Sequence, residues 1–557
     1  MKPRDFCLEP GYPLGLALTY SFDPIFFDRI VLRALWGGGT EGMLVLADSQ
    51  EIERTLDRTH GPIHHLGRRY LLSPVRTSGS FHPKLWLRLG KEGGIVCLAT
   101  GNLTHGGWGL NRELAAAWRV GPHAEDRGGW IPDLLRRAVA WAGSPLAERV
   151  LSRMGEVEWL REEASDRLLF SGPTSLATQL RQRWAGRRFT HLRFVTGSTD
   201  TDGAVLRWLH ETFGVEAAVG CITPQMCSFS PMRLAALPVS LYLIPHPVPI
   251  VHAKAYHLSG PDGDVLLVGS ANCSASGWLR SPTDGGNVEA MLVYDPPGPG
   301  DLAALNELLS DAQRAPEDVL SEEIPQTDKR SGVAARELTL TALQIEEDGS
   351  VVAGLSSGIH DGWEHRLVVE DQTIPLHRSN AMFVARAPER LPAGQTAFGY
   401  VEAISPDGRA VRSPRRWIDD LRLLHESASA RAIARVLEQL PRPSSRKEDN
   451  RLLGDLTRLA HDLLHDTKAL QDPFIKTQKR DGPGDENRRA SPVDPAVLIR
   501  NLGEEPVPLS HPVTGSGVPG LSLSGIFRAL FGAGEGTDRE HEVSVDEEEA
   551  ARTARDE

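Results

Sequence analysis

Two segments of the 557-residue chain, residues 80–114 and 250–291, carry the same pattern of polar and aromatic residues. In both, a lysine stands two residues after a histidine, an asparagine 20 residues after that histidine, and a tryptophan six residues after the asparagine. An Asn-x-Glu sequence ends each pattern, and its distance from the tryptophan is six residues longer in the second segment. The members are His82, Lys84, Asn102, Trp108 and Glu113 in the first segment, and His252, Lys254, Asn272, Trp278 and Glu289 in the second. Agreement at fixed spacing indicates an internal repeat, so we predict two related halves.

An imidazole, an ammonium group and an amide that occur twice are suited to phosphoryl transfer. Lysine binds phosphate as a point charge, and the asparagine amide can donate to another non-bridging oxygen. Two histidines on opposite sides of a phosphorus atom supply a nucleophile and a proton donor for the leaving oxygen. A carboxylate on a ring N–H fixes the tautomer, which is the role we assign to Glu113 and Glu289. Because two lysines neutralise the charge, we expect neither a metal ion nor another cofactor.

The local sequence places each histidine and lysine on a β-hairpin. Residues 84–89 alternate in polarity, a Gly-rich turn follows at 90–94, and the apolar run 95–99 returns toward the asparagine. The second segment repeats this hairpin with strands at 253–258 and 265–268. Since residues two apart on a strand face the same side, the histidine and lysine of each copy should point into one pocket. We expect the two tryptophans to pack in the core, and the hydroxyls of Thr100 and Ser270 to brace the asparagines.

The similarity between the halves extends upstream of the motifs. Residues 16–35 and 192–209 each show a buried strand, a polar turn and a helix that contains Val-Leu-Arg-x-Leu. We therefore predict an α/β fold with two α/β/α repeats, residues 1–165 and 166–315, that form one pseudo-twofold active site.

The remainder of the chain changes in character twice. Short alternating strands with Asp-Gly turns predict a small, Ig-like β-sandwich at 333–417. Leucines at helical spacing then predict a helical region at 418–474. Proline, glycine and charge dominate residues 475–557, so a mostly disordered tail with an acidic end is expected there. The β-sandwich or the C-terminal region could bind a protein partner, and a purely structural role is an equal alternative.

Composition restricts the class of protein. With 61 Lys and Arg against 74 Asp and Glu, the formal net charge of −13 excludes a chain that coats nucleic acid indiscriminately. The five scattered cysteines do not suggest a disulfide framework. No apolar stretch has the length of a signal peptide or a membrane helix, so we expect a cytoplasmic monomer that does not bind membranes.

The paired motif resembles that of the phospholipase D superfamily. Leu89 and Ser259 stand where many members carry an aspartate, five residues after the lysine, whereas Asn102 and Asn272 are present. This combination is similar to the HKN branch, which includes tyrosyl-DNA phosphodiesterases, and to bacterial phospholipase D-like nucleases. The resemblance implies that His82 forms a phosphohistidine and that His252 acts as general acid and then as base. The reverse assignment remains open.

The charge around the first motif bears on the substrate. Residues 54–119 contain ten Lys or Arg and three acidic residues, as expected of a region that binds a phosphate backbone. A solvated basic face is the alternative. The candidate contacts to nucleic acid are Arg68, Arg69, Arg76, Arg88 and Arg112.

We therefore expect a metal-independent phosphodiesterase, a nuclease that cleaves DNA through a phosphohistidine and acts in bacterial defence or repair. Within the same chemistry, the alternative is a 3′-end processing enzyme like tyrosyl-DNA phosphodiesterase. Two alternatives of other classes are a phospholipase or phosphatidyl transferase, and a nucleic-acid-binding scaffold without activity. RNA in place of DNA, and action as a subunit of a larger machine, also stay open.

Overall fold

A computed structural model describes residues 3–424 except 60–61, 163–166, 245–249, 317–337, 347, 358–361, 380–381, 387, 389–390 and 392–394. Its mixed α/β class confirms that part of the fold prediction. The predicted disordered tail, and all but the beginning of the predicted helical region, lie outside the described residues. In the part that is described, no helix is both long and apolar enough to cross a membrane. All five cysteines are free thiols.

The apolar runs of the first 120 residues form one sheet, in the order β3-β2-β1-β4-β5-β6. Strands β1, β2 and β3 are parallel, and β4, β5 and β6 continue the sheet with antiparallel pairs. Side chains of β1 are buried on both faces, as is typical of a sheet covered by helices on either side. The strands are Leu14–Thr19 (β1), Gly42–Asp48 (β2), Leu71–Val75 (β3), Leu85–Leu89 (β4), Gly94–Ala99 (β5) and Ala115–Val120 (β6).

A second sheet contains six strands in the same order. The full order is β14-β10-β9-β8-β11-β12-β13-β7. Its six inner strands, β10-β9-β8-β11-β12-β13, repeat the parallel and antiparallel pairs of the first sheet. The strands are Leu168–Phe170 (β7), His191–Thr196 (β8), Ala217–Ile222 (β9), Val239–Leu243 (β10), Ala255–Ser259 (β11), Val265–Gly269 (β12), Ala290–Tyr294 (β13) and Gln313–Arg314 (β14).

Helices cover both sheets. The α-helices are Pro3–Leu8 (α1), Pro24–Phe26 (α2), Leu32–Gly37 (α3), Ser49–Arg58 (α4), Ile131–Ala142 (α5), Pro145–Gly155 (α6), Leu176–Arg183 (α7), Ala204–Phe213 (α8), Pro231–Leu234 (α9), Ala275–Trp278 (α10), Pro299–Leu308 (α11) and Leu421–Leu424 (α12). Phe27–Val31 and Gly106–Leu110 form single π-helical turns, and Pro224–Met226 and Pro282–Asp284 are 3₁₀-helical. The predicted packing of Trp278 and Trp108 is confirmed, because the first is buried and the second lies against the core.

The third part of the chain is all-β, as the alternation predicts. Its strands run in one hydrogen-bonded order, β21-β20-β17-β18-β19-β16-β15-β23, rather than in the two separate sheets of an Ig-like sandwich. One core contains side chains from both ends of this order. The strands are Thr339–Ile345 (β15), Ser350–Ser357 (β16), Glu364–Val369 (β17), Gln372–Ser379 (β18), Met382–Arg386 (β19), Phe398–Ile404 (β20), Ala410–Arg412 (β21), Arg416–Trp417 (β22) and Asp419–Asp420 (β23).

This β-region is joined to the first sheet by buried contacts. Trp417 lies in the core that β1 and β2 share with α3. The Thr396 hydroxyl donates to the Leu66 carbonyl (2.8 Å), and the Asp420 N–H donates to the Gly67 carbonyl (2.7 Å). The predicted start of the helical region at residue 418 is therefore wrong, because β23 needs Asp419 and Asp420 and the helix begins at Leu421.

Candidate active site

The motif residues stand at corresponding strand ends in the two sheets. His82 and Lys84 immediately precede β4, Asn102 follows β5, and Glu113 precedes β6. In the second sheet, the equivalent residues flank β11, β12 and β13 in the same way. Because the order β4-β5-β6 brings these ends to one edge of the sheet, each set of four side chains is gathered by strand pairing alone.

Each histidine is hydrogen-bonded to the glutamate of the other half. His82 Nδ1 lies 2.9 Å from Glu289 Oε2, and His252 Nδ1 lies 2.8 Å from Glu113 Oε1. Since an ionised carboxylate only accepts hydrogen bonds, Nδ1 carries the proton in both rings and Nε2 keeps its lone pair. The predicted contact of a glutamate with each imidazole is thus present, with the partners exchanged between the halves.

Backbone hydrogen bonds fix this exchange. The His82 N–H donates to the Val288 carbonyl (2.9 Å), next to Glu289. The His252 N–H donates to the Arg112 carbonyl (3.1 Å), next to Glu113. The segment that carries each histidine is therefore paired with the segment that carries its carboxylate, and neither half can move without displacing the other.

Both glutamates are held by hydroxyl and amide donors. Thr100 Oγ1 donates to Glu113 Oε2 (2.5 Å), and Ser270 Oγ donates to Glu289 Oε2. The prediction that these hydroxyls brace the asparagines is wrong, because the carboxylates lie within their reach and are the stronger acceptors. The amides of the Asn-x-Glu sequences complete each set, with Asn287 Nδ2 2.9 Å from Glu289 Oε1.

Burial and charge set the ionisation of the four residues in the two pairs. Burial alone would raise the pKa of Glu113, but the hydrogen bond and the charge of His252 outweigh it and hold that pKa below its ordinary value. Burial would likewise raise the pKa of Glu289, but the charge and the hydrogen bond of His82 hold it below its ordinary value. Burial lowers the pKa of His82 to about 4, and it also lowers the pKa of His252. At neutral pH two neutral imidazoles therefore face two carboxylates.

Lys84 and Lys254 are completely buried. Each ammonium group donates to the carbonyl of the histidine two residues before it, Lys84 Nζ at 2.8 Å. Burial lowers the pKa of both lysines, of Lys254 to about 8, and the charge of Lys254 lowers the pKa of Lys84 further. Because two buried cations repel each other, an anion bound beside both of them would be strongly favoured.

The two asparagine side chains differ in their hydrogen bonds. Asn272 Oδ1 accepts a hydrogen bond from the Ser198 N–H (3.1 Å). Asn102 Oδ1 is buried and has no hydrogen-bond partner among the residues described. A buried amide oxygen without a partner is costly, so a ligand or water molecule that donates a hydrogen bond to this oxygen would be favoured.

Two threonines that the sequence analysis missed position the asparagine loops. Thr19 Oγ1 donates to the Ser21 carbonyl (2.8 Å) and accepts from the Leu103 N–H (3.0 Å). Thr196 makes the same pair of bonds, with the Ser198 carbonyl (2.8 Å) and the Cys273 N–H (2.9 Å). A signal was present, since both threonines end an apolar strand at the same place in the upstream similarity.

The five arginines predicted to contact nucleic acid have different surroundings. Arg88 is 1% exposed, and its guanidinium donates to the carbonyls of Phe6 (2.7 Å) and Gly38 (3.0 Å). It is therefore a structural residue and cannot contact a phosphate backbone, which corrects that prediction. This burial could not be predicted from the sequence, because a lone arginine on a strand resembles an exposed cation.

The other four arginines are not buried. Arg112 lies beside Glu113 and forms an ion pair with Asp311 (3.1 Å). Arg76 is 3.9 Å from Glu53 and lines a cavity of about 200 Å³ next to the β-region. Arg68 and Arg69 follow Gly67, close to the contacts with that region. Of these residues, Arg112 is connected to the paired motifs directly, through its carbonyl.

Comparisons with known proteins give little further information. No protein-family model matches the chain, and neither does any curated protein. Among solved structures, the polyphosphate kinase from Porphyromonas gingivalis is similar at 14% sequence identity, with a TM-score of 0.33. This match covers 55% of the present chain and 47% of the kinase, so it spans about half of each.

The low pKa of His82 predicts a pH-dependent stability. Between pH 6.5 and about 4 the imidazole is protonated in the unfolded chain and neutral in the folded protein. The unfolded state then binds more protons, so the free energy of unfolding should decrease by about 2 kcal/mol from His82 as the pH falls from 6.5 to 5. Urea unfolding of the wild type and His82→Gln at several pH values measures this, and the variant should show the smaller slope. The exposed His191→Gln is the control; equal slopes for wild type and His82→Gln would contradict the ionisation described above.

The buried position of Arg88 predicts a stability effect that Arg112 should lack. Arg88→Met leaves buried carbonyls without donors, so we expect the free energy of unfolding to fall by about 2–3 kcal/mol. Arg112→Met removes a partly exposed ion pair and should change it by less than about 1 kcal/mol. Denaturant unfolding of both variants provides the comparison, and a similar loss in each would argue against the structural role of Arg88.

Proposed function

We propose that this protein is a phosphodiesterase of the phospholipase D superfamily that hydrolyses DNA through a phosphohistidine. The observation that supports the proposal is the reciprocal His–Glu pairing, in which two imidazoles with free Nε2 atoms are held beside two buried lysines. In this proposal, residues 1–165 and 166–315 form a pseudo-twofold pair with one shared site. A binding scaffold without activity would have no use for oriented imidazoles and buried ammonium groups.

In the first chemical step, His82 Nε2 attacks phosphorus. An N–P bond forms, the P–O bond to the leaving group breaks, and the leaving oxygen takes a proton from His252. Glu289 accepts the His82 Nδ1–H and stabilises the positive charge that develops on that ring. Because the substrate is anionic, its arrival favours the protonated form of His252 that this step requires.

In the second step, water replaces the histidine. Neutral His252 takes a proton from the water molecule, the new O–P bond forms, and the N–P bond to His82 breaks. Glu113 holds the His252 ring in one orientation while it gives and then receives a proton. Lys84, Lys254 and the asparagine amides stabilise the charge on the non-bridging oxygens in both steps, so the chemistry needs no metal ion.

DNA is the proposed substrate because the region that carries the first motif is basic on an acidic chain. Arg112 supports this choice, since its carbonyl accepts the His252 N–H and its side chain, paired with Asp311, is partly exposed. Arg88 is no longer a candidate contact, because it is buried. Phospholipids and 3′-adducted DNA use the same chemistry and are alternative outcomes of the following experiment.

The proposed mechanism predicts phosphodiester cleavage in the presence of EDTA. Circular, linear and 3′-adducted DNA, RNA and anionic liposomes would be incubated with the full chain, and products separated by electrophoresis or chromatography. We expect cleavage of DNA, and a loss of at least about 10³-fold in rate for His82→Ala and for His252→Ala. His191→Ala, an exposed histidine outside the site, should retain the wild-type rate. A strict requirement for magnesium would overturn the mechanism. Hydrolysis of liposomes without cleavage of DNA would overturn the proposal that DNA is the substrate.

The assignment of nucleophile and acid predicts where a covalent adduct accumulates. With a p-nitrophenyl ester of thymidine 5′-phosphate, the leaving group needs no proton, so His252→Asn should complete the first step and stall at the second. We expect a burst of about one p-nitrophenolate per protein molecule. Mass spectrometry of peptides kept at alkaline pH should then find the nucleotide on His82. An adduct on His252 in the His82→Asn variant, together with no adduct on His82 in the His252→Asn variant, would reverse the two roles.

A further inference from the structure

The two halves of the site differ at one position beside the paired histidines. Thr19 and Thr196 end equivalent strands, and their hydroxyls donate to equivalent carbonyls, those of Ser21 and Ser198. The residue between the threonine and the serine is Tyr20 in the first half and Gly197 in the second. An aromatic side chain therefore stands in one half-site where the other has none.

Tyr20 covers the first half-site. Its ring centroid lies 5.0 Å from that of His82 at an interplanar angle of 60°, and Lys84 Nζ is 5.8 Å from the ring centroid. The phenol donates to Glu51 Oε1 (3.2 Å), which fixes the ring from its far end. Because Tyr20 is only partly buried, a held aromatic ring is accessible beside a lysine suited to phosphate.

Gly197 brings the main chain close to the second half-site. A Cβ atom at this position would lie 2.8 Å from His252 Cδ2, 2.9 Å from Lys254 Nζ and 3.3 Å from Asn272 Oδ1. The backbone thus approaches the three motif residues closely, and position 197 places no side chain beside them. A group bound next to His252 would contact the main chain of Gly197, whereas a group bound next to His82 would contact the ring of Tyr20.

The loops after the asparagines also carry an aromatic residue in the first half and a small residue in the second. His105 stands three residues after Asn102, and Ala275 stands three residues after Asn272. The His105 ring lies 4.6 Å from the Phe26 ring, and its Nδ1 has no hydrogen-bond partner within the described part of the chain. The first half is therefore aromatic at two positions where the second half has small residues.

We propose that Tyr20 stacks on the base of one nucleoside esterified to the scissile phosphate and so directs that nucleoside to the His82 half of the site. The other ester group then faces the His252 half, where Gly197 presents main chain in place of an aromatic ring. This inference rests on the proposed function, because it assumes that the bound phosphate belongs to nucleic acid. Aromatic rings beside cationic groups that bind phosphate are the usual means of holding single-stranded bases. Tyr20 is a specificity residue and takes no part in the bond changes.

The test measures stacking separately from cleavage. Full-length protein with His252→Asn, which keeps the DNA intact, is titrated with a single-stranded oligonucleotide that contains one 2-aminopurine, whose fluorescence falls on stacking. With Tyr20 or Tyr20→Phe we expect quenching. Tyr20→Leu should abolish the quenching and weaken binding about tenfold, within the range measured for one stacked base. Tyr400→Leu, in the β-region, is the matched control and should behave like the parent.

A second oligonucleotide shows whether the base itself is responsible. When an abasic site replaces the 2-aminopurine, Tyr20→Leu and its parent should bind with equal affinity, measured by fluorescence anisotropy. The parent alone should prefer the base-containing strand about tenfold, which is informative even if Tyr20→Leu fails to fold.

The outcomes separate this inference from the proposed function. Equal quenching and affinity for Tyr20→Leu and Tyr20→Phe, or equal affinity of the parent for base and abasic strands, overturns the stacking role. Quenching that depends on Tyr20, in a protein whose wild type cleaves no DNA in EDTA, supports the stacking role and overturns the nuclease instead.

Discussion

The site depends on one constraint, namely that each buried histidine finds its carboxylate in the other half of the molecule. His82 with Glu289 and His252 with Glu113 are buried pairs, and removal of either partner would leave a polar group without compensation in the interior. Hydrogen bonds between the adjoining backbone segments, from His82 to Val288 and from His252 to Arg112, impose the same pairing. The site is therefore complete only when both sheets are folded and in contact.

The exchange also explains how two lysines can be buried. Isolated ammonium groups in the interior would be expensive, and burial does lower the pKa of Lys84 and Lys254. The two glutamates compensate for this by raising both pKa values, so the carboxylates that orient the imidazoles also keep cations in the site. The charges of two lysines and two glutamates in this cluster nearly cancel without a ligand. A bound anion can relieve the remaining repulsion between the lysines.

The sequence predicted the motif and its supporting strands better than it predicted the partners. The spacing of His82, Lys84 and Asn102 follows from a hairpin, which is local structure that alternation and turn residues reveal. The exchange of Glu113 and Glu289 between halves is a long-range contact, with 207 residues separating His82 from Glu289, and periodicity carries no information about it. For the same reason Arg88, whose acceptors lie 50 and 82 residues away, looked like a surface cation.

A site built by two halves of one chain has a property that two identical subunits could not provide. In an exact twofold dimer, any aromatic side chain beside one histidine must also stand beside the other, and a substrate could bind in either direction. Here the two halves are covalently one chain, so Tyr20 and Gly197 can differ while the histidine, lysine, asparagine and glutamate of each half stay matched. A phosphodiester is itself asymmetric, because its two ester groups differ. In the proposed phosphodiesterase, matched groups at the phosphorus and different side chains around them would let the site distinguish nucleophile from acid.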